Sequence, residues 1–301
     1  MSLNDFSLTN AVESDALFVL KDAQSVLSPR QKTEPKKVRA RRLEITQLPG
    51  AMRHMGWITA ARLMERWFNT PAFAMSAEQK AARNLADLPW QQVDETIVTM
   101  RWASQFERCR AAVDLARSRS FHTQKGMTRL RDLVYASGWD GTRPHSLGFY
   151  GMSSRLMDKT CQINVADLGE RTDTLDEIYG ALGLANLKVG VVGTALNERG
   201  KRLFKVDYLG FYILDTYDFN GPQYLGTWTD KRVLTKAETI AAGTYAARRI
   251  YEARDDSPLG LITNGDFRDY RAKTGRGGDF FVVSDIQWER INAVVDLDQY
   301  P

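Results

Sequence analysis

Cysteine and histidine are scarce: the chain of 301 residues carries two of the first and three of the second. Cys109 and Cys161 stand far apart, with no CxxC and no Cys/His ligand spacing. That speaks against zinc ribbons and a disulfide framework, and leaves two free thiols. His54, His122 and His145 form no HExxH pair and no GxSxG elbow occurs, so the familiar signatures of zinc and serine hydrolases are missing. No stretch approaches the ~18 consecutive apolar residues of a membrane span, so no integral membrane segment is expected. The opening MSLNDFSLTNAVESDALFVLKD places acids where a secretory signal needs a basic start and an unbroken apolar run. No Sec signal is therefore expected, and the chain is expected to be cytoplasmic in the cell that makes it.

With 43% hydrophobic residues, a chain of this length can bury a substantial core without staples. Its net charge of +4 is unevenly placed, because Ser28 to Arg42 holds seven basic residues and one acid, which leaves the remainder slightly acidic. Such a segment, with two prolines, reads as an extended linker or docking arm. A fold that grips nucleic acid needs its phosphate contacts clustered on the fold itself, so nucleic acid is not the expected partner. Binding through the tail is the third of three functional readings. The organisation is accordingly a disordered basic tail over 1–42, a helical region over 43–146 and an α+β domain over 147–301.

Helical periodicity carries the first half. Trp57, Ala60, Ala61, Met64, Trp67 and Phe68 share a face within Ala51 to Asn69, and Val98, Trp102, Phe106, Cys109 and Val113 share one within Asp94 to Ser118. A third segment runs around Met127, Leu130 and Val134, before the Gly- and Pro-rich SGWDGTRPHSLG. The pattern then changes. After a short helix over Thr172 to Leu182, LKVGVVGTAL and KRLFKVDYLGFYIL predict a hairpin turning at Asn197 to Gly200, with Phe204, Val206, Tyr208 and Tyr212 on one face. Gly190, Gly193 and Gly210 inside those strands imply bulges or close backbone approach, as a strongly bent sheet requires. Thr235 to Glu238 is a capping-box pattern ahead of a further helix, which ends in Arg248, Arg249 and Arg254. The expected class is α+β: helices first, then a bent, half-barrel-like antiparallel sheet with a packed helix.

Two constellations can carry chemistry. Asp215, Tyr217 and Asp218 lie where an apolar strand ends and a turn begins, in DTYDFNGP. In extended geometry Asp215 and Tyr217 share a face, and a turn can swing Asp218 beside them. Two close carboxylates can coordinate Mg²⁺ or divide acid and base roles; equally, Asp215, Asp218 and Asn220 can shape a turn. The second is Arg268, Arg271, Lys273 and Arg276 around the loop Gly275 to Gly278. Guanidinium forks and loop amides suit phosphate, although the loop is neither GxGxxG nor a P-loop. Solvated charges around a hairpin entry are the alternative.

The blocks PGAMRHMGWITAARLMERWF, VTMRWASQFERCR, LGFYILDTYDFNGPQYLGTWTDKRVLTKAE and FRDYRAKTGRGGDFFVVSDI resemble an uncharacterised bacterial family, a domain of unknown function found in type VI secretion gene neighbourhoods. A shorter stretch resembles the catalytic domain of colicin M, a bent-sheet toxin that cleaves the lipid-linked peptidoglycan precursor. Asp215, Tyr217 and Asp218 match its Asp-x-Tyr-Asp, while Tyr224 and Leu225 stand where its His-Arg would fall. These resemblances imply a secretion-associated antibacterial effector, with a secretion-machine component or a cognate immunity protein as partner. As an enzyme it would be a Mg²⁺-dependent phosphoester or pyrophosphate hydrolase of a lipid-linked anionic substrate. Asp215 and Asp218 would then hold the metal or activate water, Tyr217 would orient them, and Arg268, Arg271 or Arg276 would hold phosphate. The rival reading is a non-catalytic adaptor of a secretion system.

Overall fold

The structure is a computed structural model that describes residues 43–81, 85, 88–119, 123–170, 173–242 and 258–299. The basic tail, His122 and the arginines at 248, 249 and 254 lie outside the described residues. In chain order the elements are α1 (Leu48–His54), α2 (Ile58–Asn69), α3 (Ala77–Ala81), β1 (Val93–Asp94), α4 (Met100–Ala103), α5 (Glu107–Arg119) and α6 (Gln124–Ala136). There follow β2 (His145–Leu147), α7 (Ser154–Thr160), β3 (Gln162–Leu168), α8 (Glu177–Leu182), β4 (Ala185–Glu198) and β5 (Lys201–Tyr217). The last are β6 (Tyr224–Trp228), α9 (Lys236–Ala242), β7 (Gly260–Thr263), α10 (Asn264–Thr274), β8 (Phe280–Val283) and β9 (Gln287–Asp296).

The first amphipathic segment breaks once, and the second divides into β1, α4 and α5. Gly56, at φ 78°, separates α1 from α2, because only glycine takes that conformation without strain. In the second, Asp94 belongs to a strand and accepts the amides of Thr96 and Ile97, and Asp285 caps the amide of Met100. A side-chain oxygen that satisfies an orphan amide fixes where a helix begins. The same device starts α6 at Thr123, α7 at Ser153 and α8 at Asp176. The capping box of Thr235 and Glu238 forms as the sequence predicts, and the chain beyond α9 lies outside the described residues until 258.

The fold is α+β, built on one curled, half-barrel sheet whose spine is the β4–β5 hairpin. Its turn is two residues long, Arg199 at φ 52° and Gly200 at φ 83°, the left-handed pair that matches strand twist. Each long strand changes partner along its length. β4 pairs with β3 and then β2; β5 pairs with β9 and then β8. The ladders are antiparallel except for β1 on β8, which brings a strand of the first half into the sheet in parallel. β6 and β7 form a separate small ladder.

The glycines work as the sequence implies. Gly190 and Gly210 are opposite one another, and a Cβ on either would meet the Met157 side chain of α7 at 2.4 to 2.6 Å. A Cβ on Gly193 would sit 2.0 Å from the Lys205 carbonyl oxygen.

The shared face expected for Phe204, Val206, Tyr208 and Tyr212 is corrected by a bulge. The register shifts between Val206 and Tyr208, so Asp207 is extra and the alternation changes phase. Phe204 and Val206 face the main core together with Leu209, Phe211 and Ile213. Tyr208 and Tyr212 turn to the other face, under α7, with Met152, Met157, Cys161 and Val192. The division near residue 147 falls inside β2, and a single apolar cluster joins Ala60, Trp67 and Leu130 to Leu187, Phe211 and Phe280.

Candidate functional site

The change of phase at Asp207 decides what the second face can do. It aims Tyr212 at α7, where the hydroxyl donates to Asp158 Oδ1 at 2.6 Å, and Lys188 Nζ from β4 donates to the same oxygen at 2.6 Å. Tyr212 is wholly buried. Burial, and then the Asp158 charge, push its hydroxyl far above the ordinary phenol range, so it stays a donor. Beside this network opens a cleft of about 360 Å³ whose walls include Lys80 of α3, Asp158, Lys188, and Leu214, Asp215 and Thr216 of β5. It is a polar site between a helix, two strand ends and a short capped helix. Ser76 and Gln79 fix that last helix by reciprocal side-chain to backbone hydrogen bonds.

Asp215 lines this cleft. Burial pushes its carboxyl up to about 7; the Thr216 amide opposes the rise, nearby Asp218 adds to it and Lys80 opposes it. A carboxyl that titrates near neutrality in a polar cleft is able to give or take a proton. Of the two partners that the sequence set beside it, Asp218 stays near and Tyr217 goes elsewhere. Tyr217 enters the main core, stacked on Phe280 at 5.2 Å between ring centroids and edge-on to Phe219 at 5.5 Å. Asp218 Oδ1 receives the Asn220 amide at 3.2 Å and the Lys80 ammonium at 2.6 Å. It both shapes the turn and ties α3 to the end of β5.

Of the two carboxylates expected to hold Mg²⁺, Asp218 already has an ammonium against it, and among the described residues no three His, Cys, Asp or Glu side chains gather as a metal group. Mg²⁺ ordinarily needs only one or two carboxylates with waters and substrate phosphates, and Asp215 is the one that lines the cleft.

The basic cluster lies on α10 and the loop after it. Arg268 donates to the carbonyls of Phe219 and Gly221, at 3.0 and 2.6 Å. Arg271 lies over Trp67, donates to Gly277 O at 2.7 Å and pairs with the fully buried Asp279. Arg276 is exposed and reaches Asn69 O at 3.4 Å. The loop amides are also engaged: Gly275, Gly277 and Gly278 donate to Arg271 O, Thr70 O and Trp67 O. The glycines are needed because a Cβ at Gly277 would meet the Trp67 ring at 2.4 Å. This loop is therefore packed against α2 by its own hydrogen bonds; of the three arginines Arg271 is half-buried, while Arg268 and Arg276 are exposed.

Asp158, Lys188 and Lys80 escaped the reading of the sequence. Lys188 had a faint signal, a lone cation inside the apolar run LKVGVV. Asp158 and Lys80 had none, since their partners lie 54 and 138 positions away, at Tyr212 and Asp218.

Comparison with known proteins supplies a family and no activity. A family model described as a family of unknown function, DUF6402, matches residues 43–298. No curated protein and no solved structure matches the chain.

Proposed function

Because the chain belongs to the DUF6402 family, whose description names no reaction, we propose a function from the cleft: a secretion-associated antibacterial effector that hydrolyses an anionic, phosphate-bearing precursor of the cell envelope. One observation carries this reading. Asp215, a carboxyl able to exchange a proton near neutral pH, shares a polar cleft with the ammonium groups of Lys80 and Lys188. Fixed cations beside a proton donor suit a reaction in which negative charge gathers on phosphate oxygens as a leaving oxygen departs. The local resemblance of the end of β5 to the colicin M catalytic domain supports the substrate class, and the longer resemblance supports delivery by a secretion machine.

The test is expression in a bacterial host, in the cytoplasm and separately behind an export signal, with the lipid-linked peptidoglycan precursor measured in each case. Exported wild type should kill and deplete the intact precursor, and Asp215→Asn should do neither while folding normally. Intact precursor in cells expressing the exported wild type would remove the proposal.

A second reading, a non-catalytic interaction protein, is favoured by one surface. Phe149 and Tyr150 are exposed by more than half, and Tyr150 packs tilted against Tyr208 and Trp288, with ring centroids 5.0 and 5.2 Å away. Exposed aromatic clusters of this kind anchor partners. On that reading Tyr150→Ala abolishes the effect in cells, and Asp215→Asn leaves it intact.

A further inference from the structure

The cleft holds a second carboxylate that the sequence gives no reason to select. Asp158 is only 6% exposed, yet it lines the cleft. Both of its hydrogen bonds, from Lys188 and Tyr212, fall on Oδ1, and among the described residues nothing bonds to Oδ2. A carboxylate that is nine-tenths buried ordinarily satisfies both oxygens, so a free oxygen at a cleft wall is available to a ligand. The charged and titratable groups around it are Lys188 on β4, Tyr212 and Asp215 on β5, and Lys80 on α3.

We propose that Asp158 is the base of the hydrolysis and Asp215 its acid, with Lys188 and Tyr212 positioning Asp158 so that Oδ2 meets the attacking water. This rests on the hydrolase reading above. Water attacks phosphorus as Asp158 Oδ2 takes its proton; the bond from phosphorus to the leaving oxygen breaks as Asp215 delivers its own proton to that oxygen. Asp158 is left protonated and Asp215 ionised, and one proton passed between them through cleft water resets the pair. No oxidant, reductant or further reactant is required. The two carboxyls are suited to opposite roles by their surroundings. A lysine and a phenol donate to Asp158, whereas Asp215, half-buried at the cleft wall, has neither and is pushed up to about 7 by burial.

The experiment is steady-state hydrolysis of the lipid-linked precursor by the purified full-length chain, across pH, with Asp158→Asn and Tyr212→Phe. Asp158→Asn should lower kcat by roughly 10²- to 10⁴-fold, the usual worth of a general base, with KM little changed. Tyr212→Phe keeps the carboxylate but removes one of the two hydrogen bonds that orient it, so kcat should fall by roughly tenfold with KM little changed. A merely structural Asp158 would leave kcat of the folded variants where it is. Hydrolysis by folded Asp158→Asn within about threefold of wild type, or an unchanged kcat in folded Tyr212→Phe, overturns the proposal. If Asp215→Asn is inactive in the same assay, the reading of the cleft survives that failure. If wild type releases no product, both fall together.

Discussion

Asp215 and Asp279 are both carboxyls pushed upward by burial, and they show how the same cause serves different ends. Asp279 is fully buried, but it receives Trp67 Nε1 at 3.0 Å, the Met75 amide at 3.0 Å and the Arg271 guanidinium. Truncating it leaves Arg271 unpaired in an apolar setting, and removing one partner of a buried pair costs roughly 3–5 kcal/mol. Asp279→Ala should show that loss in urea unfolding; a change below about 1 kcal/mol would mean the network carries no stability. At Asp215 only the Thr216 amide and the charge of Lys80 oppose burial, and its carboxyl rises from 3.8 to about 7. The folded state therefore holds this proton more tightly than the unfolded chain. Its contribution to stability is greatest below about pH 4, is lost as pH rises towards 7, and is constant above that. Relative to wild type, Asp215→Asn should gain stability across that window, and a flat difference between the two curves would refute the assignment. The sequence announced Asp215 because a carboxylate at the end of an apolar strand is conspicuous. It could not announce Asp158, whose worth depends on Tyr212 and Lys188 arriving from other elements.

At the scale of elements, the bulge at Asp207 and the in-strand glycines determine where the sheet presents its side chains. Alternation along KRLFKVDYLGFYIL located the strand, and the Thr235 to Glu238 capping box located the start of α9, because both are local signals. The phase of β5 beyond Val206 was not legible, since a bulge is set by pairing with β4 and β9 rather than by the residues of β5 alone. The glycines were legible as a class, and the structure separates them by what they touch. Gly193→Ala drives a Cβ into the backbone of Lys205, so it should cost at least the ~1–3 kcal/mol typical of overpacking, by urea unfolding. Gly210→Ala meets the flexible Met157 instead, and Met157→Ala should recover part of its loss. If Gly193→Ala is as stable as wild type, the bend does not depend on that close approach. At the hairpin tip the argument runs the other way. Arg199 sits at φ 52°, where a side chain costs roughly 1–2 kcal/mol that glycine avoids, so Arg199→Gly should stabilise by up to about 1 kcal/mol once glycine's greater loss of freedom on folding is set against it. A destabilised variant would mean the Arg199 side chain matters more than its backbone.

For the whole molecule, the question is whether the chain folds as one unit or two. The change from helical to strand periodicity near residue 147 invites a boundary, because a local pattern cannot reveal what packs across it. Four features cross that line. Trp67 of α2 bonds Asp279, Lys80 of α3 pairs with Asp218, β1 adds to β8, and residues 145 to 147 extend β4's ladder. Beneath them one apolar cluster takes in α2, α5 and α6 together with β4, β5 and β8. A sheet stripped of those helices would expose that face to water, and unfolding such a unit in parts would cost more than unfolding it together. The cleft shares this dependence, since Lys80 comes from the first half and Asp158, Lys188 and Asp215 from the second. The full chain should therefore unfold in a single urea transition, with near-ultraviolet circular dichroism and tryptophan fluorescence coinciding. Limited proteolysis of the intact protein gives a second check: a cut in the Gly- and Pro-rich segment before β2 should not release a stable C-terminal piece. If residues 147–301 instead persist after cleavage, with a sharp transition of their own, the second half is autonomous and Lys80 is an accessory to its cleft rather than part of it.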